Sequence, residues 1–275
     1  MKAIVVISDL HVGSTLALCP EDGLQVSDGG RYLPNKFQTT LWKFWKDFWG
    51  DFVPRQVAGA ESVTLVVNGD PVEGLHHQQV GIVTNNLNFQ EEGAIRVLNT
   101  IPTIIKFDHK YLVRGTEAHS EPGNQSDERL GKGIGCEQNE IGEYSTWQLW
   151  LEVNNILIQF AHHIGVTNSA AAESSAPMRE LVAGLVEASQ WGRSTPRLFV
   201  RSHRHRFIPV SIPSKDGRIT CVITPAWQLR TNLVERIDRI RMPSIGGIVF
   251  KIGNEGEIDI REKLYPLPEI APIRI

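Results

Sequence analysis

The strongest constraint on this chain is a recurring pairing: short apolar, strand-like runs that each stop on metal-ligand residues. The runs end at Asp9-Leu10-His11, Gly69-Asp70, Gly115-Thr116-Glu117-Ala118-His119 and Ser202-His203-Arg204-His205, with His162-His163 after a further run. One Asp-x-His carries little information, because such triplets occur by chance. An ordered series of carboxylates and imidazoles just past buried strands is different, because that is where an α/β fold places its ligand site.

The runs between these stops set the fold class. Ala3 to Ser8 and Val63 to Val67 are continuously apolar, as strands covered on both faces are. Phe37 to Phe52 reads as a helix, with Leu41, Trp45, Phe48, Trp49 and Phe52 at helical spacing, and core packing explains that stripe better than a base-stacking surface. Gln90 to Phe107 reads as a second helix, with Pro102 a poor fit to its latter half. A short strand, Tyr111 to Val113, completes a β-α-β-α-β series and predicts a mainly parallel sheet.

The second half changes character. A hairpin turns at Asn154-Asn155, an Ala-rich helix covers roughly 169 to 191, and strands follow near 197–200, 207–212, 219–223, 247–252 and 257–262. Asp216-Gly217 is a turn signal. The polar stretch 120–143 is long for a plain connection, and a lid or a surface excursion are equal readings. With no repeat or linker, residues 1–275 are expected to form one domain with two sheets and helices outside.

Composition excludes several classes. The 275 residues are 41% hydrophobic and 21% charged, ordinary globular values, and a net charge of −3 gives no global attraction to nucleic acid. No run has the length of a membrane span, and the apolar start at Met1 is too short for a signal peptide. Cys19, Cys136 and Cys221 lie far apart without CxxC spacing, which argues against a disulfide framework or thiolate zinc and makes the reducing cytoplasm the expected location.

A mixed Asp/His set without cysteine suits Mn²⁺, Fe²⁺ or Zn²⁺ better than Ca²⁺. Two ions about 3.5–4 Å apart need one anionic bridge, and Asp70, at the end of a central strand with no adjacent His, is the natural one. Asp9-x-His11, Gly69-Asp70, the Gly115 segment, His162 and Ser202-His203-x-His205 together resemble the calcineurin-like metallophosphoesterase superfamily, whose pattern runs DxH, GD, GNH[DE], H, GHxH. The resemblance spans about residues 1–210 and implies a four-layer αββα fold, a two-sheet β-sandwich flanked by helices.

It also implies a dinuclear metal-dependent phosphoric ester hydrolase, a phosphodiesterase by expectation, in which metal-bridging hydroxide attacks phosphorus. Two divalent ions are implied, Mn²⁺ first, with Fe, Zn, Ni or Mg as options. Asp9, His11, Asp70 and His205 would hold one ion, and Asp70, His162, His203 and a residue of the Gly115 segment the other. That segment departs from the pattern: Glu117 is placed in the Asn ligand role, with Thr116 the competing alignment, and His119 in the catalytic His role. Adjacent strand residues face opposite ways, so His162 is preferred over His163 as ligand. Ser202 in place of Gly needs only a permissive turn. His163, Arg114 and Arg204 are candidate substrate contacts, although the arginines serve equally as partners of ligand carboxylates. His76-His77 and His109 read as exposed loop residues. The expected partner is a phosphate ester, with no membrane partner. A nuclease acting on DNA or RNA and a non-catalytic metal-binding scaffold of the same fold are the alternatives, and oligomeric state is left open.

Overall fold

A computed structural model describes residues 1–75, 81–165, 169–215, 217–231, 234–235 and 242–267. Two five-stranded sheets organise them. The first has strand order β12-β11-β1-β4-β5, from β1 (Lys2–Ile7), β4 (Ser62–Asn68), β5 (His109–Val113), β11 (Ile245–Ile252) and β12 (Ile258–Tyr265). β1, β4 and β5 pair in parallel, as the β-α-β-α-β reading predicts, and β11 and β12 add antiparallel strands. The second sheet, in the order β6-β7-β8-β10-β9, comprises β6 (Leu149–Val153), β7 (Ile156–Phe160), β8 (Leu198–Arg201), β9 (Ile208–Ser214) and β10 (Gly217–Ile223). A two-residue pair, β2 (Leu24–Gln25) with β3 (Arg31–Tyr32), lies in the connection that follows β1.

Strand alternation decides the layers. Ala3, Val5 and Ile7 with Val63, Leu65 and Val67 face a cluster that contains Leu41, Trp45, Phe48 and Trp49. Ile4, Val6 and Val66 face the other way, against Ile158, Phe160, Leu198, Val200 and Val222 of the second sheet. The outer face of that sheet, through Phe199, Ile219 and Cys221, packs on Ala176 and Leu181. The order helix, sheet, sheet, helix is the expected αββα fold. Near-continuous apolar runs follow, because both faces of each central strand are covered.

The helices agree with expectation except in their limits. Asn35 caps α1 (Lys36–Asp47) with a reciprocal capping box through Gln38. The helix continues through a π-helical turn (Phe48–Phe52) into α2 (Val53–Val57), and the aromatic stripe is buried as predicted. The second helix, α3 (Leu87–Leu98), stops well short of Phe107, because Pro102 lacks the amide the helix would need. The 120–143 stretch is neither plain excursion nor bare loop. It contains α4 (Gln125–Gly133), which packs on α3, and it buries Leu130, Ile134 and Cys136. α5 (Ser175–Trp191) ends at Gly192 in a left-handed conformation. Asn154 and Asn155 both take positive φ, as a two-residue hairpin turn requires. His109 opens β5 rather than lying in a turn, with its ring beside Glu137. His76, His77 and Asp216 lie outside the described residues.

Candidate metal centre

The ends of β1, β4, β5, β7 and β8 bring the motif residues together. Backbone bonds from Asp9 N to Gly69 O (3.0 Å), His11 N to Asp70 O (3.1 Å) and Val12 N to Pro71 O (3.1 Å) hold the two post-strand loops side by side. Trp227 N donates to Asp9 O at 3.0 Å, so a loop after β10 closes the third side. Among the described residues, eight non-glycine residues have positive φ, and five of them are Asp9, His11, Asp70, His203 and His205. Each such conformation costs about 1–3 kcal/mol, and strain of this kind gathers where side chains must converge.

Asp9, His11, Asp70 and His162 are almost fully buried. Asp9 Oδ1 lies 3.2 Å from His205 Nε2, and His11 Nε2 lies 3.1 Å from His205 Nε2. Asp70 Oδ2 lies 2.9 Å from His162 Nε2 and 3.8 Å from His119 Nε2. Three groups of ligand atoms each fit within 4.8 Å: Asp9, His11 and His205; Asp70, His162 and His203; and His11, Glu73 and His119.

Orientation distinguishes these contacts from ordinary hydrogen bonds. Both Asp9 oxygens, His11 Nδ1 and His162 Nε2 are buried without hydrogen-bond geometry to any neighbour. The atoms adjoin but aim past one another, as donors around a shared cation do. The described partners of Asp9 and Asp70 in ion-pair range are imidazoles, with no Lys or Arg. Burial alone would raise the Asp9 carboxyl, yet His205 and His162 hold it well below the ordinary range. Asp70 behaves likewise through His162 and His119. Burial alone would lower His11 and His162, but the carboxylates raise them, to about 10 and about 9 respectively. His203, depressed by burial and by His162, falls to about 4. A cluster that draws this much positive charge onto its imidazoles suits divalent cations, and its oxygen and nitrogen donors fit them.

A buried polar chain fixes the frame beneath. Asn68 Nδ2 donates to Ser202 Oγ (2.6 Å), and Thr224 Oγ1 lies 2.7 Å from Ser202 Oγ and 2.6 Å from Ser8 Oγ. Ser202 therefore joins the two sheets, a larger role than the permissive turn its sequence position suggests. His162 Nδ1 donates to Asn68 O at 2.7 Å, which orients the ring so that Nε2 faces Asp70.

The Gly115 segment departs from the sequence reading. Glu117, expected in the Asn ligand role, is exposed, and its carboxylate accepts only a long 3.4 Å bond from Gly123 N. The turn carries its side chain away from Asp70, whereas Thr116 donates to Asp70 Oδ1 from N at 2.7 Å and from Oγ1 at 3.2 Å. The glutamate that reaches the cluster is Glu73, its Oε2 being 3.0 Å from His11 Nδ1 and accepting from Gln228 Nε2 at 2.7 Å. Its place three residues after Asp70 was the available sequence signal. His119 is brought in, with Nδ1 donating to Glu73 O (2.6 Å) and its ring 4.4 Å from that of His11.

The candidate substrate contacts divide. Arg114 is committed to Ser145 Oγ (2.9 Å) and Glu143 Oε2 (2.7 Å), the structural option left open for it. Arg204 donates to Glu173 O (3.1 Å). His163 is exposed, with its ring 4.7 Å from that of His203.

Two packed sheets, outer helices and the five motifs in order at the strand ends now stand together. This is the four-layer αββα arrangement that the resemblance in the sequence implies. Solved structures similar to this chain include a metallophosphoesterase from Sphaerobacter thermophilus, at 8% identity over 96% of this chain and 89% of that one, with a TM-score of 0.37. A predicted phosphoesterase from Streptococcus pneumoniae TIGR4 matches at 11% identity over 96% and 98%, TM-score 0.32. Vps29 from Chaetomium thermophilum matches at 9% over 96% and 97%, TM-score 0.38. At these identities and scores none of the three carries an activity or a partner across to this chain. No protein-family model and no curated protein matches it. No helix among the described residues is long and apolar enough to cross a membrane.

Proposed function

We propose that this chain is a dinuclear metal-dependent phosphoesterase, acting on phosphodiesters. The observation that carries the reading is the pair of adjoining, largely buried ligand groups Asp9–His11–His205 and Asp70–His162–His203, joined where His162 Nε2 comes within 3.9 Å of Asp9 Oδ1, with both Asp9 oxygens and His162 Nε2 buried without a hydrogen bond. Asp9, His11 and His205 would hold one ion, His162 and His203 the other, and Asp70 would serve both. Mn²⁺ suits this oxygen-and-imidazole set. When bound, the ions supply Lewis acidity, which lowers the pKa of water and neutralises phosphate charge.

The chain's own residues do the rest. Asn68 O holds the His162 ring, so its Nε2 faces Asp70. Thr116 holds the Asp70 carboxylate from the opposite side. His119 is anchored through Nδ1, which leaves Nε2 on the cluster side, where the ring in its imidazolium form would give a proton to a departing alkoxide. An alkoxide profits from such a donor more than a phenolate does, which favours alkyl phosphate esters.

The test is Mn²⁺-stimulated hydrolysis of bis-p-nitrophenyl phosphate beside p-nitrophenyl phosphate, with Asp70→Asn as control and calorimetric titration of Mn²⁺ into both proteins. Diester turnover and Mn²⁺ binding that both vanish in the variant are the expected result. Turnover of the monoester alone would replace the diesterase reading with a phosphatase. Mn²⁺ binding without turnover would leave a metal-binding scaffold, and neither would end the proposal.

A further inference from the structure

A cavity of about 590 Å³ lies on the outer face of the second sheet, and no residue of the metal centre lines it. It arises because α5 packs over β9 and β10 and leaves the outer face toward β6 open. Gly184 lets the helix settle on the sheet at this edge, since a Cβ there would stand 2.4 Å from Phe199 Cζ. The volume falls within the range of small-molecule sites, as does a mainly apolar wall with a few polar groups.

Two tryptophans, Trp150 and Trp191, line the cavity at 50% and 69% exposure. Neither is used by the metal centre, and large indoles left this open are the side chains that ligands stack on. The floor is polar and rigid. Arg201, buried, donates from Nη2 to Gln159 Oε1 (2.6 Å) and to Glu180 Oε2 (2.7 Å). Gln159 Nε2 then donates to Gln148 Oε1 (3.1 Å). This chain consumes the Gln148 oxygen and leaves its amide hydrogens, and it uses one Glu180 oxygen and leaves the other. The lining thus offers π-faces, a donor and an acceptor. Gln148 is exposed and the Glu180 side chain is 35% exposed, so both groups are open to a ligand, and the edge of a nucleobase presents both complements.

We infer that this cavity is a binding site for a nucleobase or a closely similar heteroaromatic ring, separate from the metal centre. Stacking on an indole supplies the affinity, and Gln148 and Glu180 meet the ring edge.

The experiment follows intrinsic tryptophan fluorescence of the full chain as adenosine is added, with chelator present so that the metal centre plays no part, and with ribose as control. Saturable quenching by adenosine and none by ribose is expected. Trp150→Ala and Trp191→Ala should each weaken binding by about five- to a hundredfold, the usual range for lost base stacking. Both sites are exposed, and an unchanged circular dichroism melt would show that the variants fold. Three results overturn the proposal: no saturable quenching at millimolar nucleoside, binding that neither variant weakens, or a concentration-dependent dimer in sedimentation that Trp191→Ala abolishes. The last would assign the surface to a second copy of the chain. None of the three bears on the phosphoesterase reading.

Discussion

Gly69→Ala isolates the contact that aims His162. Gly69 sits at φ +90°, and an added Cβ would lie 2.2 Å from His162 Nδ1, where ordinary contact begins at 3.4 Å. The ring would have to withdraw by about 1 Å and give up its bond to Asn68 O. A left-handed conformation costs an alanine about 1–2 kcal/mol, and the lost hydrogen bond about 0.5–1.5 kcal/mol more. The expected destabilisation is about 1.5–3.5 kcal/mol. Gly59→Ala is the matched control, because Gly59 has φ +75° and nothing within 4 Å, so only the backbone cost of about 1–2 kcal/mol applies. Urea denaturation of both variants separates the backbone and contact contributions. Metal-dependent hydrolysis should fall on the order of 100-fold in Gly69→Ala, the usual consequence of a 1 Å misplacement, and stay unchanged in Gly59→Ala. Equal denaturation midpoints for the two variants would refute the contact argument.

Three further outcomes are expected. Thr116→Ala should weaken Mn²⁺ binding by about 10–100-fold through loss of a group that holds Asp70, whereas Glu117→Ala should leave it unchanged; calorimetry that reverses the two would restore Glu117 as ligand. Arg114→Ala should cost about 1.5–3 kcal/mol of stability in urea through its charged hydrogen bonds while leaving KM for the diester unchanged, and a large rise in KM would make Arg114 a substrate contact after all. Asp127 is buried and accepts from Gly115 N and Asn124 Nδ2, and burial raises its carboxyl from 3.8 to about 6. A raised folded pKa adds stability in full below the unfolded value and loses it as pH rises through the folded one. Stability of the native chain relative to Asp127→Asn should therefore fall by about 2 kcal/mol between pH 4 and 7; urea curves with no such pH-dependent difference would rule this out.

The sequence by itself marked the central parallel strands, because strands covered on both faces must be apolar throughout, and Ala3–Ser8 and Val63–Val67 are, while the order of strands in the two sheets came from the structure. It also placed Asp9, His11, Asp70, His119, His162, His203 and His205 after strand ends, since these carboxylate and imidazole residues follow closely on the apolar runs. It could not choose between Glu117 and Thr116, because ligand strength says nothing about which way a turn aims a side chain. That depended on how the segment folds beside Asp70. Glu73 stands three residues after Asp70, but its partners His11 and Gln228 lie 62 and 155 residues away, and no local period records such contacts. The seryl, threonyl and asparaginyl chain from Ser8 to Thr224, Ser202 and Asn68 belongs to the same class. Periodicity is a property of neighbours along the chain, whereas convergence at a point is a property of packed sheets, and only the tertiary structure decides it.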